Sequence, residues 1–143
     1  MKNTHRLSAY LLALFVTLMP VMTLAAEHGG GGGEGGAAYP GYMKLDPPVI
    51  VNLAQPGRGR MLKLSLQFYI ESQTEADLVT LHMPRLRDRL INLLGGRSGE
   101  QLMTAEAREK LREELLDALR KTMKAETGKS AISELYFTDF IIQ

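Results

Sequence analysis

Cysteine is absent from the 143 residues, and so is tryptophan. Without cysteine there is no disulfide framework, no thiol nucleophile, no iron–sulfur cluster and no Cys-based zinc site. An excess of one charge is also missing. Seventeen Lys and Arg face sixteen Asp and Glu, a net charge of +1. That balance excludes a strongly basic nucleic-acid glove and an acidic tail. Histidine is sparse, with His5 and His28 near the start and only His82 further on. No P-loop, GxSxG, HExxH, CxxC or EF-hand pattern occurs, and no acidic residues cluster in a binding loop. No catalytic residue, cofactor or metal is therefore expected. The length suits one domain with small attachments.

What is present is unevenly distributed. No acidic residue precedes Glu27, whereas Lys2 and Arg6 do, and Leu7 to Ala26 is a run of 20 residues without a charge. As a helix it would cover about 30 Å, the thickness of a bilayer's hydrocarbon core. Residues 1–26 thus read as a signal anchor or as a cleaved signal peptide. Cleavage is supported by the basic start, the apolar stretch, Pro20 and the small residues of Thr23-Leu24-Ala25-Ala26. In both cases the basic end stays cytoplasmic and the remainder crosses the membrane. Loss of Lys2 and Arg6 would leave 15 basic and 16 acidic residues, a net −1. Residues 27–38 follow as a linker, holding seven of the fourteen glycines between Gly29 and Gly36. By composition this is a flexible tether.

The folded part is expected over residues 39–143. Val49 to Leu53 has strand composition, and Gln55 to Arg60 carries a Pro/Gly turn signal. From Met61 to Ile70, Leu62, Leu64, Leu66, Phe68 and Ile70 alternate with Lys63, Ser65, Gln67 and Tyr69, which predicts a half-buried strand and an antiparallel hairpin. Thr74-Glu75-Ala76-Asp77 resembles a capping box opening a helix with apolar Leu78, Leu81, Leu86, Leu90, Leu93 and Leu94. Pro84 should kink or restart that helix, and Gly95-Gly96 should stop it. Thr104 should cap a second helix with its stripe on Ala107, Leu111, Leu115, Ala118, Leu119 and Met123, ending at Gly128. Ile132 to Gln143, rich in aromatic and β-branched residues, predicts a last strand covered on both faces. The order β-β-α-α-β makes a small α+β fold, two helices packed on a three-stranded sheet.

Four stretches carry a resemblance: Asp46-Pro47-Pro48-Val49-Ile50-Val51-Asn52-Leu53, the strand Leu62 to Ile70, His82-Met83-Pro84-Arg85-Leu86-Arg87-Asp88, and Tyr136-Phe137-Thr138-Asp139-Phe140-Ile141-Ile142-Gln143. In that order, over about the last 100 residues, the chain resembles the flagellar basal-body-associated FliL family. The resemblance implies a periplasmic domain similar to the stomatin/prohibitin fold, beside the flagellar motor. It further implies a homo-oligomeric ring around the stator units that supports torque, swimming and swarming, with no catalysis. Family members usually retain a transmembrane helix behind a basic cytoplasmic tail; here that tail is short and the apolar segment has cleavage features.

Two functions follow from these readings. The first is an interaction protein of the inner membrane, single-pass with its domain in the periplasm, contacting stator and basal-body proteins. Its candidate contact residues are Arg85, Arg87 and Arg89 on the first helix and Tyr136 and Phe140 on the last strand. The second is a soluble periplasmic module, released by cleavage near Ala25 or Ala26, that binds a peptide or other ligand. Neither calls for nucleic acid.

Overall fold

The computed structural model describes residues 38–54 and 60–143. The apolar run, nearly all of the glycine tether and the Pro/Gly turn after Leu53 lie outside the described residues. Four strands and three helices follow in the order β1 Gly41–Lys44, β2 Val49–Leu53, β3 Arg60–Ile70, α1 Gln73–Leu81, α2 Met83–Leu94, α3 Ala105–Thr127 and β4 Glu134–Ile142, with a 3-10 turn at Glu100–Leu102.

β3 organises the sheet. Leu62, Leu64, Leu66, Phe68 and Ile70 are all fully buried, as the alternation requires when one face packs and the other does not. β4 runs antiparallel along one side of β3, from Leu62↔Ile142 to Tyr69↔Glu134. The other side is shared: β2 covers its first half (Val49↔Leu64, Val51↔Leu62) and β1 its second (Gly41↔Ile70, Met43↔Phe68). β1 and β2 thus form one edge interrupted at Asp46-Pro47-Pro48, where proline supplies no ladder donor. The Leu45 N–H still bonds the Leu66 carbonyl at 3.0 Å. The expected β2–β3 hairpin is present. The sheet has four strands, not three, because β1 is added.

All three helices contribute to one core on the same face of the sheet, with α2 over β2 and α3 over β4. The predicted break at Pro84 occurs: α1 ends at His82, which also opens α2, and Pro84 falls in the first turn of α2 where its missing N–H costs nothing. One expected helix is thereby two, and the described residues carry three. The cap of α1 lies two residues before the predicted one. Ser72 accepts from the Glu75 N–H at 3.3 Å and its hydroxyl donates to the Glu75 carboxylate at 3.1 Å. With that start the inward positions are Ala76 and Val79, and Leu81, read as core, is 72% exposed. α3 obeys its expected signals. Thr104 accepts from the Ala107 N–H at 3.1 Å, Leu111, Leu115, Leu119 and Met123 are buried together with Leu116, and Gly128 closes the helix at φ +79°.

The last strand departs from expectation. Among the described residues it is covered on one face only, because two β4 residues occupy one step of β3 between Ser65 and Leu66. Thr138 is the extra residue of this β-bulge. It lets Leu135, Phe137, Phe140 and Ile142 all turn to the helices although Phe137 and Phe140 are three apart. The apolar run that suggested two covered faces is one face read through a bulge. Asp139 is accordingly exposed, opposite Ser65 on the helix-free side.

Candidate interaction surfaces

α2 directs its arginines to two sides. Leu86, Leu90 and Leu94 point inward. Arg85 and Arg89, four residues apart and so on one side of the helix, both line a cleft of about 520 Å³ between α2 and α3. Glu114, Asp117, Lys121 and Glu126 line its far wall. Arg85 reaches Asp88 at 3.2 Å and Glu126 at 3.5 Å. Both pairs are exposed and each contributes at most about 1 kcal/mol. Arg87 lies two residues on, roughly 200° around the helix. It is half-buried, and its Nη2 atom is fully buried without a hydrogen-bond partner. The three arginines therefore do not make a single patch.

Tyr136 and Phe140 are also divided, by the bulge. Phe140 turns to the helix side, where it is half-buried with its ring 5.6 Å from that of Phe137 and the Arg108 guanidinium 4.8 Å above it. Arg108 is held there by donation from its Nε to the Leu102 carbonyl at 3.1 Å. Tyr136 stands on the opposite face. Its ring lies 5.8 Å from Tyr42, which is in turn 5.3 Å from Tyr69. Tilted and edge-on pairs at such distances are favourable aromatic arrangements.

That tyrosine group belongs to a larger surface that the sequence reading missed. Five of the eight exposed large apolar side chains among the described residues stand on the helix-free face: Tyr42, Ile50, Met61, Tyr136 and Ile141, each between 40 and 59% exposed. The registers place them together: Tyr42 opposite Tyr69, Ile50 opposite Lys63, and Ile141 on the other side of Lys63. A signal existed in Val49-Ile50-Val51, apolar at both parities, where a strand with one solvated face would alternate.

A polar tie joins α3 to β4. Arg112 bonds Glu109 at 2.5 Å, Glu134 at 3.4 Å and the Leu135 carbonyl at 3.2 Å. Hydrogen bonding from Arg112 holds the Glu109 carboxyl below its ordinary range, against slight desolvation and with the help of the positive charge. A carboxyl lowered in this way favours the fold above its unfolded pKa, and the contribution is lost as pH falls through the folded value. An NMR titration should therefore place the Glu109 midpoint on the acid side of a free glutamate, and Arg112→Met should return it upward. An unchanged midpoint in the variant would show that the bond does not form in solution.

Nearby, the Arg120 Nε donates to the Ile132 carbonyl at 2.8 Å and its Nη2 to that of Ser133, bracing the turn where Ala131 takes φ +57°. Arg120, Lys124 and Lys129 line a second open depression there. Among the described residues no group of three or more His, Asp and Glu is placed to hold a metal ion. No helix among them is long and apolar enough to cross a membrane.

Comparison with known proteins covers nearly all of this body. Residues 42–143 match the family described as flagellar basal body-associated protein FliL. The flagellar protein FliL of Aquifex aeolicus is 34% identical over 100 residues, covering 70% of this chain and 60% of that protein. The chain thus spans less than two thirds of that relative's length. With a match running from the first strand of the sheet to the last residue, the chain belongs to the family of flagellar basal body-associated FliL proteins.

Proposed function

We propose that this chain is a non-enzymatic accessory of the flagellar motor, held at the inner membrane by its N-terminal segment with the domain in the periplasm. There it assembles with further copies of itself and contacts the stator, supporting torque, swimming and swarming. The observation that carries the reading is the family match across nearly all of the folded body. The surfaces agree with it: an open, charged cleft and an apolar sheet face are suited to contact with other macromolecules rather than to enclosing a substrate.

Arg85 and Arg89 are assigned to the partner contact, since both are exposed and share one cleft. Joint reversal, Arg85→Glu with Arg89→Glu, should lower co-purification with stator proteins by about tenfold, or about 1.4 kcal/mol. The circular dichroism spectrum should be unchanged, because the ion pairs removed are exposed. Deleting the gene should impair swimming while filaments still assemble. Normal motility on all media would refute the motor role. Unchanged stator association by the folded double variant would remove the arginines from the contact.

A further inference from the structure

The two outer edges of the sheet are protected unequally. On the β1–β2 edge Pro47-Pro48 interrupts the strand, and the segment after α2 takes up the end of β2. There the Gly96 N–H donates to the Asn52 carbonyl at 3.0 Å and the Ala54 N–H to the Arg97 carbonyl at 2.9 Å. On the other edge α3 covers only the start of β4, where Arg120 takes the Ile132 and Ser133 carbonyls and Arg112 that of Leu135. Past the bulge, Asp139-Phe140-Ile141-Ile142-Gln143 holds no proline, lysine or arginine, residues that commonly blunt an edge strand. Met61 and Gln143 exchange both of their backbone hydrogen bonds, at 2.8 and 2.9 Å. Antiparallel alternation then turns the N–H and C=O groups of Phe140 and Ile142 away from β3. No hydrogen bond among the described residues reaches these groups.

We propose that this edge pairs, antiparallel, with the same edge of a second copy about a two-fold axis at Ile141. The pairing gives a surface to the self-association proposed above and rests on that reading. Register selects the occupant. A strand added here must offer two outward-facing residues two positions apart, and a second copy offers that same pair. With the axis at Ile141, Phe140 of each copy meets Ile142 of the other, and the outward N–H and C=O groups of all four residues find partners. An axis at Phe140 would instead draw the bulge residue Thr138 into the ladder.

The side chains fit the same axis. On the helix side Phe140 and Ile142, both half-buried, become cross-strand neighbours, a favourable aromatic and β-branched pair. On the other face the exposed Ile141 meets its own equivalent. Asp139, the one charged side chain of the stretch, falls opposite Gln143, so no like-charged side chains oppose each other across the ladder. The helices leave room. Arg108 of the first turn of α3 lies over Phe140, and Arg112 and Arg120 reach back to Leu135 and Ile132. α3 therefore runs away from the axis, and its copy runs away in the opposite direction.

The lack of cysteine permits a direct test of the register. The full chain carrying Ile141→Cys is expressed in cells, oxidised with copper phenanthroline and run on a non-reducing gel. A residue on the axis faces its equivalent across a non-hydrogen-bonded pair, with Cα atoms about 4.5 Å apart, inside the range a disulfide spans. Asp139 and its equivalent would stand four residues apart along the ladder, about 14 Å, which is too far. Ile141→Cys should therefore give several-fold more disulfide-linked dimer than Asp139→Cys. Asp139→Cys co-expressed with Gln143→Cys should give the mixed dimer. Equal or absent dimer at position 141 relative to 139 would overturn the proposal, as would a disulfide from position 141 to a different protein. The cysteine-free chain treated with a lysine-reactive cross-linker separates the two readings. Linked copies there, without the Ile141→Cys dimer, would overturn the β4 pairing and leave self-association standing. No linked copies in either experiment would overturn both.

Discussion

Phe68→Ala should destabilise the protein by about 3–5 kcal/mol, a large part of the roughly 5–15 kcal/mol that holds a domain together. Phe68 is among the largest fully buried side chains, flanked in the sheet by Met43 on one side and Leu135 on the other. Truncation removes its burial and leaves a cavity that strands on both flanks prevent from closing. Tyr69→Ala, one residue on, should cost only about 1 kcal/mol, because that ring is half-exposed on the helix-free face. Chemical denaturation should show a much lower midpoint for Phe68→Ala and a small shift for Tyr69→Ala, with unchanged slopes. Equal losses would mean that the two faces of the sheet are not distinguished as described.

The second large effect concerns the bulge. Deleting Thr138 should be tolerated, within about 1 kcal/mol, because it converts β4 to regular pairing and leaves every other residue on its present face. Deleting Tyr136 should be severe. With β4 regularised from that point, Phe137 would turn out opposite Gln67, and the Thr138 hydroxyl would turn in opposite Leu66. Exposing a half-buried phenylalanine and burying an unpaired hydroxyl together cost about 3 kcal/mol. Thermal melting of the two deletions separates the outcomes. If both were equally harmful, the strand would not be bulged at Thr138.

Where a signal is local, it was readable. The alternation of β3, the Thr104 and Gly128 ends of α3 and the break before Pro84 each depend on a few neighbouring residues, and each is found. β1 was not readable, since Gly41-Tyr42-Met43-Lys44 has no pattern of its own and is a strand only because the second half of β3 lies free beside it. The cap of α1 was misplaced because Ser72-x-x-Glu75 and Thr74-x-x-Asp77 overlap, and only tertiary packing of Ala76 and Val79 selects the first.

The candidate contact residues divide along the same line. Their chemical types, arginine and aromatic, are evident from sequence, but the face each occupies is not. A two-residue step on a helix separates Arg87 from Arg85 and Arg89, and one extra residue in β4 separates Tyr136 from Phe140. The sequence by itself determined the α+β class, the buried face of β3, the helix ends of α3 and the family, because these reside in local periodicity and ordered residue identities. Only the tertiary structure decided the fourth strand, the bulge and the apolar sheet face assembled from β1 to β4. Each of these depends on pairing between residues far apart in the chain, and no local pattern encodes the register of such pairing.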